Sequence, residues 1–504
     1  MNVLAMIGSD WYNLRMSMYK KIYFMGVKGV GMATLAIIAK EAGFIVGGSD
    51  VEEEFITDKI LKKSGIEVWI GFKKDNVEKF FGITPKEECL LIATAAHDGF
   101  ENPEAVCAKV LGYRVISHGK AVGLFMGGEL FGRMEIEGIS VSGSHGKTTI
   151  GGMIVSSLLM LGLDPSFTVG TSEIFPIGAA GHYGRWKYFV AEADEYLAES
   201  KYDRIPKFLY QNPKYLIINN IDFDHPDFFK NINEVRNAYE EFVAKLDLNS
   251  VLIVNGDDEN IKKLRIQSAN WRTKLKTITY GSDTGNEFVL RNFKQEGFVS
   301  RFEVFRNDIL LGKFELSVPG YHNAKNSLAV IALLIELGIS ILDIQKVFPE
   351  FKGVKRRLEK VGETKDAVLV FDDYAHHPEE IRKTLEALKT ACPHKKITLI
   401  FQAHTYSRTK AMLDSFVSSF AGVSELIILP TFASARDMID HDIEEDKNFV
   451  EKIRTIQPNV KLIETITGVV EYVNNNIKGS DKIVLTMGAG DVYKVTQNLE
   501  LGIT

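Results

Sequence analysis

The residues that point most directly to chemistry form a glycine-rich turn, Gly143-Ser144-His145-Gly146-Lys147-Thr148-Thr149. A β-prone segment precedes the turn and an apolar-periodic run over residues 150–161 follows it, which predicts a strand, a loop and a helix. In that layout backbone N–H groups and the helix N-terminus surround a phosphate, Lys147 contacts the outer phosphates and the Thr148 hydroxyl holds Mg²⁺. The usual pattern places its first glycine where Val141 stands, so the motif is a shortened phosphate loop. A strand-to-helix turn that binds nothing is the alternative.

Acidic clusters follow two further predicted strands of the same unit. The apolar run over residues 188–191 ends in Glu192-Ala193-Asp194-Glu195. A carboxylate at the C-terminal end of a strand in a phosphate-loop domain is well placed to hold Mg²⁺. A second run, over residues 215–219, leads into a segment with three aspartates around His225. The spacing there fits either a metal ligand or a charge-paired surface histidine.

A second glycine cluster lies near the start of the chain, in Gly26-Val27-Lys28-Gly29-Val30-Gly31-Met32. It stands between a predicted strand over residues 21–25 and a helical pattern over residues 33–42, and a second strand over residues 43–47 ends near Asp50. Together these make up a nucleotide-binding βαβ unit. The order G-x-x-G-x-G differs from the G-x-G-x-x-G of dinucleotide enzymes, which disfavours NAD and indicates a diphosphate of another nucleotide. The alternative is a tight turn without a ligand.

Two asparagines, Asn323 and Asn326, stand just before an apolar helix predicted over residues 328–337. Their amides face one side and fit either an adenine edge or helix capping, and the spacing favours neither. From residue 351 onward strands again alternate with helices, and polar clusters follow the strands, where open α/β sheets bind ligands. These clusters lie at residues 372–378, 402–408 and 487–491.

The chain of 504 residues is too long for one core, and its composition, 45% hydrophobic and 25% charged, is that of an ordinary globular protein. The net charge of −6 argues against a broad nucleic-acid or anionic-membrane surface. The three cysteines are far apart and lack metal-ligand spacing, which favours a reducing cytoplasm. No window has the roughly 18 apolar residues that a membrane span needs, so we expect no membrane insertion.

With these motifs in order, the chain resembles the muramyl (Mur) ligases, ATP-dependent amide-forming enzymes of peptidoglycan assembly. The matching blocks, besides the shortened phosphate loop, are Glu192-Ala193-Asp194-Glu195, Asp224-His225, His322-Asn323 with Asn326, Arg356-Arg357-Leu358-Glu359 and residues 372–378. The resemblance implies an α/β fold of three domains in series, each built on a mainly parallel sheet. We expect an N-terminal extension at residues 1–20, a Rossmann-like UDP-sugar-binding domain at 21–134, an ATP-binding P-loop domain at 135–348 and a Rossmann-like amino-acid-binding domain at 349–504.

The resemblance also implies a role for each site residue, with ATP and Mg²⁺ as cofactors. Catalysis falls to Lys147, Arg357 and His376, and Mg²⁺ binding to Thr148, Glu192 and His225. ATP contacts are expected from residues 143–149, Asn323, Asn326, Arg357 and Asp373. The substrates are expected to lie against Gly26, Gly29, Gly31, Met32 and Asp50 in the first domain and against Tyr374, His376 and Arg408 in the third.

The acceptor separates two branches of the family. Residues 353–357, 372–378, 404–408 and 487–491 resemble the branch that joins L-alanine to UDP-N-acetylmuramate, whereas residues 196–215 resemble the branch that joins L-Ala-γ-D-Glu-diaminopimelate to the same nucleotide sugar. Because the third domain selects the acceptor, we favour L-alanine, joined through an acyl phosphate with release of ADP and phosphate. Two rivals from other classes are a P-loop ATPase that makes no bond and a dehydrogenase that uses the first domain.

Overall fold

The computed structural model describes residues 18–199, 201–224, 226, 228–268, 271, 275–432 and 443–502. Within these residues the strands form three sheets that follow one another along the chain. The predicted α/β fold with three mainly parallel sheets is confirmed. The described part of the chain contains no helix with the length and apolar character that crossing a bilayer requires.

The first sheet is parallel throughout. Its strands are β1 Lys21–Met25, β2 Ile45–Asp50, β3 Glu67–Ile70, β4 Cys89–Ala93 and β5 Arg114–Ser117. Its helices are α1 Val30–Glu41, α2 Asp58–Lys63, α3 Lys74–Phe81, α4 Pro103–Val110 and α5 His118–Met126. The spatial order β3-β2-β1-β4-β5 reverses direction between β1 and β4. Ligands of open α/β sheets bind at such a switch point, beyond the carboxyl ends of the strands. The glycine cluster at residues 26–32 lies there.

The second sheet is the largest and carries the phosphate loop. Its strands are β6 Glu137–Ser142, β7 Ser166–Thr168, β8 Gly181–His182, β9 Tyr188–Ala193, β10 Tyr215–Ile218, β11 Val251–Asn255, β12 Lys276–Gly281, β13 Phe288–Glu296, β14 Val299–Arg306 and β15 Ile309–Leu316. Its helices are α6 Lys147–Met160, α7 Ile232–Ala244, α8 Glu259–Gln267, α9 Tyr321–Glu336 and α10 Ile341–Val347. The order is β15-β14-β13-β12-β11-β10-β6-β9-β7-β8, and β13, β14 and β15 form an antiparallel edge.

The third sheet is parallel except for β16, which pairs antiparallel with β17 at one edge. Its strands are β16 Glu359–Glu363, β17 Leu369–Asp373, β18 Lys396–His404, β19 Glu425–Phe432, β20 Val460–Leu462 and β21 Lys482–Met487. Its helices are α11 Pro378–Ala391, α12 Tyr406–Ala411, α13 Leu413–Ser419, α14 Ile443–Arg454, α15 Ile466–Asn476 and α16 Tyr493–Asn498. Helices α11, α13 and α14 cover one face of this sheet, and α15 and α16 cover the other.

The three sheets are packed against one another through short contacts. The Thr34 hydroxyl on α1 lies 2.7 Å from the Thr168 hydroxyl on β7, which joins the first sheet to the second. The segment that leads into the third sheet pairs with the second, because the Phe175 N–H donates to the Gly353 carbonyl at 2.9 Å. A Cβ at Gly152 on α6 would come within 2.5 Å of the Val354 side chain, so this close approach requires glycine.

Several element boundaries differ from the sequence prediction, as at α1, which was expected over residues 33–42 and lies at Val30–Glu41. Strand β2 lies at Ile45–Asp50, whereas the pattern predicted residues 43–47. Helix α9 begins at Tyr321, whereas residues 328–337 were expected, so Asn323 and Asn326 lie inside its first turns. Asparagine favours helix caps over helix interiors, and the polar residues before Leu328 therefore made the helix look shorter than it is.

Candidate active site

The phosphate loop joins β6 to α6 and is held in place by two asparagines of the strand beside it. Gly143 and Gly146 have φ values of +137° and +84°, which L side chains rarely adopt. The amides of Asn219 and Asn220 each donate to the His145 carbonyl at 3.0 Å, and the His145 N–H donates to the Asn220 side-chain carbonyl at 2.8 Å. The Ser144 N–H also donates to the Asn220 backbone carbonyl at 3.3 Å, so the loop is fixed over its central residues.

Lys147, at the first position of α6, lies among acceptors. Its ammonium donates to the Gly143 carbonyl at 2.7 Å and to Glu195 at 3.1 Å, and Asp194 is 3.8 Å away. Burial alone would lower the pKa of Lys147, but Glu195 and Asp194 raise it above its ordinary value. The lysine is consequently a fixed positive charge beside the loop.

Two of the residues expected to hold Mg²⁺, Thr148 and Glu192, lie at the start of α6 and at the end of β9. Glu192 is at the end of β9, where its carboxylate accepts a hydrogen bond from the Gly170 N–H at 2.5 Å. Burial raises the pKa of Glu192 and the neighbouring Asp194 raises it further, while Lys147 and Arg357 oppose this shift. Thr148 lies in the first turn of α6 with its side chain buried. His225 lies outside the described residues.

The third sheet contributes groups that reach the phosphate loop. The Arg357 guanidinium donates to the Thr148 hydroxyl at 3.4 Å and lies 3.9 Å from Glu380 on α11. Glu380 also lies 3.2 Å from His145 Nδ1. Burial alone would lower the pKa of His145, but its partners Asp222 and Glu380 raise it to about 9. A protonated His145 thus links the second sheet to the third.

A cavity of about 570 Å³ opens between the second and third sheets at this place. Its walls include the phosphate loop, the start of α9, the segment at residues 352–360 and the start of α11. Asn323 and Asn326 both line it, and their side chains donate to Pro319 and accept from Asn219 respectively. Helix α9 has Gly320 at its N-cap and no side-chain capping bond, so neither asparagine is the N-cap of this helix.

Asp373 lies in the wall of the same cavity, at the end of β17. Its carboxylate accepts hydrogen bonds from the N–H groups of Leu358 and Ala375, both at 2.7 Å. Burial raises the pKa of Asp373 to about 6, although Arg357 lowers it. The carboxylate is therefore held in a fixed position beside the segment that carries Arg357.

Tyr374, His376 and Arg408 lie together at the carboxyl ends of β17 and β18. The Arg408 guanidinium donates to Asp224 of the second domain through Nε at 3.1 Å and Nη2 at 2.7 Å, while its buried Nη1 has no partner among the described residues. His376 Nδ1 lies 3.1 Å from the Tyr374 carbonyl. Burial, and next the nearby Arg408, lower the pKa of His376 to about 3, so its imidazole is neutral at pH 7.

The glycine cluster at residues 26–32 lies at the carboxyl end of β1 in the first sheet. Gly26 has φ +79°, Gly29 is the N-cap of α1, and a Cβ at Gly31 would come within 2.8 Å of His118 Nε2. The Met32 side chain is buried in the core of this domain, so only its backbone is positioned to contact a ligand. Asp50 is also buried, and its carboxylate accepts hydrogen bonds from the Lys28 and Val51 N–H groups at 2.7 and 2.8 Å.

Sequence reasoning missed several residues that build these sites. Glu380 was not identified, because an acidic residue in the first turn of a helix is normally explained by its favourable interaction with the helix dipole. The role of Asn219 and Asn220 depends on the pairing of β10 with β6, which brings them beside the loop. His118 reaches Gly31 through the tertiary fold alone. The only available signal was the position of each residue at the carboxyl end of a predicted strand or the start of a helix.

Three family models match successive parts of the chain. They are the Mur ligase family catalytic domain over residues 21–129, the Mur ligase middle domain over residues 141–334 and the Mur ligase glutamate ligase domain over residues 356–490. The crystal structure of the UDP-N-acetylmuramate-alanine ligase of Thermotoga maritima matches with a TM-score of 0.75 and 24% identity, covering 95% of this chain and 97% of that one. The murein peptide ligase of Psychrobacter arcticus matches with a TM-score of 0.69 and 22% identity, covering 95% and 98%. These two likenesses establish the fold.

A closer relationship is found in sequence. The UDP-N-acetylmuramate--L-alanine ligase of Desulfitobacterium hafniense strain Y51 is 36% identical over 479 residues, which cover 95% of this chain and 99% of that protein. Because this identity extends over nearly the full length of both chains, the similarity is not limited to one domain. It agrees with the three successive domain matches. The chain belongs to the Mur ligase family.

Proposed function

We propose that this protein is an ATP-dependent amide ligase that joins L-alanine to UDP-N-acetylmuramate in the cytoplasm and releases ADP and phosphate. Mur ligases are ATP-dependent, and the relative from Desulfitobacterium hafniense is named for this pair of substrates. The observation that carries the proposal is the meeting of two domains at one cavity. Arg357 and Glu380 of the third domain contact Thr148 and His145 of the phosphate loop, as a transfer of phosphate between bound partners requires.

Each domain receives one role in this proposal. Residues 21–134 bind the UDP-sugar at the glycine cluster, residues 135–348 bind ATP, and residues 349–504 bind L-alanine and part of the ATP. The cavity between the second and third sheets supports a nucleotide there, because its walls combine the phosphate loop with the two asparagines of α9 and Asp373. We assign the phosphates to residues 143–149, the adenine to Asn323 and Asn326, and the ribose to Asp373.

The reaction has two steps whose charges these residues can stabilise. An oxygen of the substrate carboxylate attacks the γ-phosphorus, the bond to the β-phosphate oxygen breaks, and an acyl phosphate and ADP result. The amine of L-alanine then attacks the acyl carbon, phosphate leaves, and the nitrogen loses a proton. Both steps gather negative charge on oxygen, and the fixed cations Lys147 and Arg357 lie on two sides of the loop to balance it.

The residues also fit a Mg²⁺ ion. Mg²⁺ prefers oxygen ligands, and the buried Glu192 carboxylate, whose pKa is raised by burial, gains from an added positive charge. We propose that Glu192, the Thr148 hydroxyl and His225 hold it. When bound, such an ion polarises phosphoryl oxygens and neutralises their charge. Arg357 already donates to Thr148, so the arginine and the ion would act on the same region.

His376 and Arg408 are proposed to hold the amino acid. The unpartnered Nη1 of Arg408 suits the carboxylate of L-alanine, because its N–H groups still need an acceptor and a guanidinium makes strong charge-assisted hydrogen bonds to carboxylates. With its pKa lowered to about 3, His376 is a poor base at neutral pH. We therefore expect its free Nε2 to accept a hydrogen bond from the incoming amine and to position it.

The decisive experiment is a ligation assay with purified protein, ATP, Mg²⁺ and UDP-N-acetylmuramate. We expect ADP release that depends on L-alanine, together with a product of the mass of the L-alanyl conjugate. In parallel reactions L-Ala-γ-D-Glu-diaminopimelate replaces L-alanine, or both substrates are omitted. Ligation of the tripeptide but not of L-alanine would assign the protein to the murein peptide ligase branch. ADP release that needs neither substrate would identify an ATPase that forms no amide bond.

A further inference from the structure

His145, Asp222 and His377 form a cluster where the phosphate loop meets the start of α11. One nitrogen or oxygen atom from each residue lies within 4.8 Å of the other two. His145 Nε2 is 3.6 Å from Asp222 Oδ2, and the two imidazole rings are 4.5 Å apart between centroids. Two ligand atoms about 2 Å from a tetrahedral zinc ion are separated by about 3.3 Å. The three side chains therefore need only small movements to share one ion.

Each imidazole directs one nitrogen into this cluster. His145 Nδ1 lies 3.2 Å from Glu380, which holds the Nδ1 proton, so the proton that a bound cation displaces from the protonated ring is the one on Nε2, which faces Asp222. Glu380 thus acts as the carboxylate that commonly orients a metal-bound histidine. His377 Nδ1 accepts a long hydrogen bond of 3.3 Å from the Glu379 N–H. The Nε2 atoms of both histidines are buried without a hydrogen-bond partner among the described residues, and His377 is only 3% exposed.

We propose that His145, Asp222 and His377 form a binding site for a divalent transition-metal ion of the Zn²⁺ class, distinct from the proposed Mg²⁺ ligands Thr148 and Glu192. Two imidazoles and one carboxylate suit such an ion, whereas Mg²⁺ prefers oxygen ligands alone. Asp222 belongs to the loop after β10 and its side chain is 45% exposed, which leaves an entry path and room for water as a fourth ligand. Binding at His377 Nε2 moves the ring proton to Nδ1, so the long bond from Glu379 is given up.

A bound ion changes the relation between two domains. His145 and Asp222 belong to the second domain and His377 to the third, so the ion is a cross-link between the phosphate loop and α11. The cross-link holds the two domains together and restricts the loop. Slower ligation in the presence of Zn²⁺ follows from this restriction and rests on the proposed function, whereas the binding itself does not.

The test is calorimetric titration of the full-length protein with ZnCl₂, in a buffer that contains excess Mg²⁺ and no nucleotide. We expect one Zn²⁺ per chain, and we expect His377→Gln and Asp222→Asn each to weaken binding at least tenfold. Glu380→Gln should weaken it about tenfold, because the orienting carboxylate is lost. His182→Gln is the matched control, since His182 also lies between two carboxylates, Glu41 and Asp164, but far from the cluster in the fold.

Circular dichroism and thermal melting without metal establish that each variant is folded. If His377→Gln does not fold, the test uses Asp222→Asn together with the visible absorption of the Co²⁺-loaded wild type. That absorption distinguishes a site with imidazole ligands from a site with oxygen ligands alone. Zinc binding that survives both His377→Gln and Asp222→Asn overturns the proposal. Zinc binding that is lost in His182→Gln or in His225→Gln but kept in His377→Gln also overturns it. A Co²⁺ absorption spectrum that shows no nitrogen ligands has the same consequence.

Discussion

Replacing Lys147 by alanine tests the division of labour between the domains. The Lys147 side chain is 13% exposed and its ammonium is paired with Glu195, whose side chain is 2% exposed. Removing it has two separate consequences. A buried carboxylate loses its counter-charge, which destabilises the fold, and the phosphates of ATP lose a fixed cation, which slows the reaction. The glycine cluster of the first sheet is untouched, so UDP-N-acetylmuramate should still bind.

The two consequences have different magnitudes. Removing one partner of a buried ion pair costs about 3–5 kcal/mol of folding stability. Loss of one preorganised group that stabilises charge in the transition state lowers kcat by about 100- to 1,000-fold. The double variant Lys147→Ala/Glu195→Gln separates them, because neutralising Glu195 removes the unpaired charge. We expect the double variant to regain most of the lost stability and none of the lost ligation.

The assays are thermal unfolding, calorimetric binding of UDP-N-acetylmuramate and ATP-dependent ligation with L-alanine. We expect the affinity for the nucleotide sugar to stay within about threefold of wild type in both variants. Loss of nucleotide-sugar binding in a folded Lys147→Ala protein would refute the separation of the two sites. Recovery of ligation in the double variant would show that Lys147 acts on stability alone.

Three further changes have expected outcomes. Gly146→Ala should weaken ATP binding at least tenfold by calorimetry, because Gly146 has φ +84° and an added Cβ would lie 2.7 Å from the Asn219 amide. Arg408→Lys should raise the KM for L-alanine about tenfold or more and change kcat less, because a lysine ammonium cannot reproduce the planar guanidinium that pairs with Asp224 through Nε and Nη2 and presents Nη1 to the amino acid. His182→Gln should lower the melting temperature most below about pH 6.5, because Glu41, its strongest partner, raises the pKa of His182 in the folded state. The difference should shrink as the pH rises through that raised pKa, and a constant difference from pH 5.5 to 9 would contradict the assignment.

The phosphate loop could be predicted from the sequence because its requirements are local. Positive φ angles favour glycine at Gly143 and Gly146, and Lys147 follows directly at the first position of α6. The alternation of strands and helices predicted three sheets for a similar reason, since periodicity reports which residues are buried. Such features depend on neighbours within a few residues, and the strand, turn and helix around residues 143–149 and the mainly parallel sheets are confirmed.

The partners of these residues could not be predicted, because they are set by strand order and by the packing of domains. Nothing near Glu380 in the sequence indicates that it meets His145, which precedes it by more than two hundred residues. The sequence around Arg408 likewise gives no sign that this residue bonds to Asp224. The sequence also does not show that one side chain has two roles. The Asn326 side-chain carbonyl accepts a hydrogen bond from Asn219, and the Asn326 amide lies in space beside Gly146 of the phosphate loop. Its side chain is therefore committed to positioning the loop as well as lining the cavity.

These long-range contacts bear on why the chemistry would be ligation and not hydrolysis. An acyl phosphate reacts readily with water, so an enzyme that forms one must exclude water until the amine attacks. The contacts of Arg357 with Thr148 and of Arg408 with Asp224 close the second domain against the third, and both arginines come from the domain proposed to bind the amine. Because Arg357 contacts the phosphate loop, Arg408 lies in the proposed acceptor pocket and both belong to the third domain, closing one site closes the other. Enclosure of the intermediate would then coincide with delivery of the nucleophile, which a domain that only hydrolyses ATP has no need to arrange.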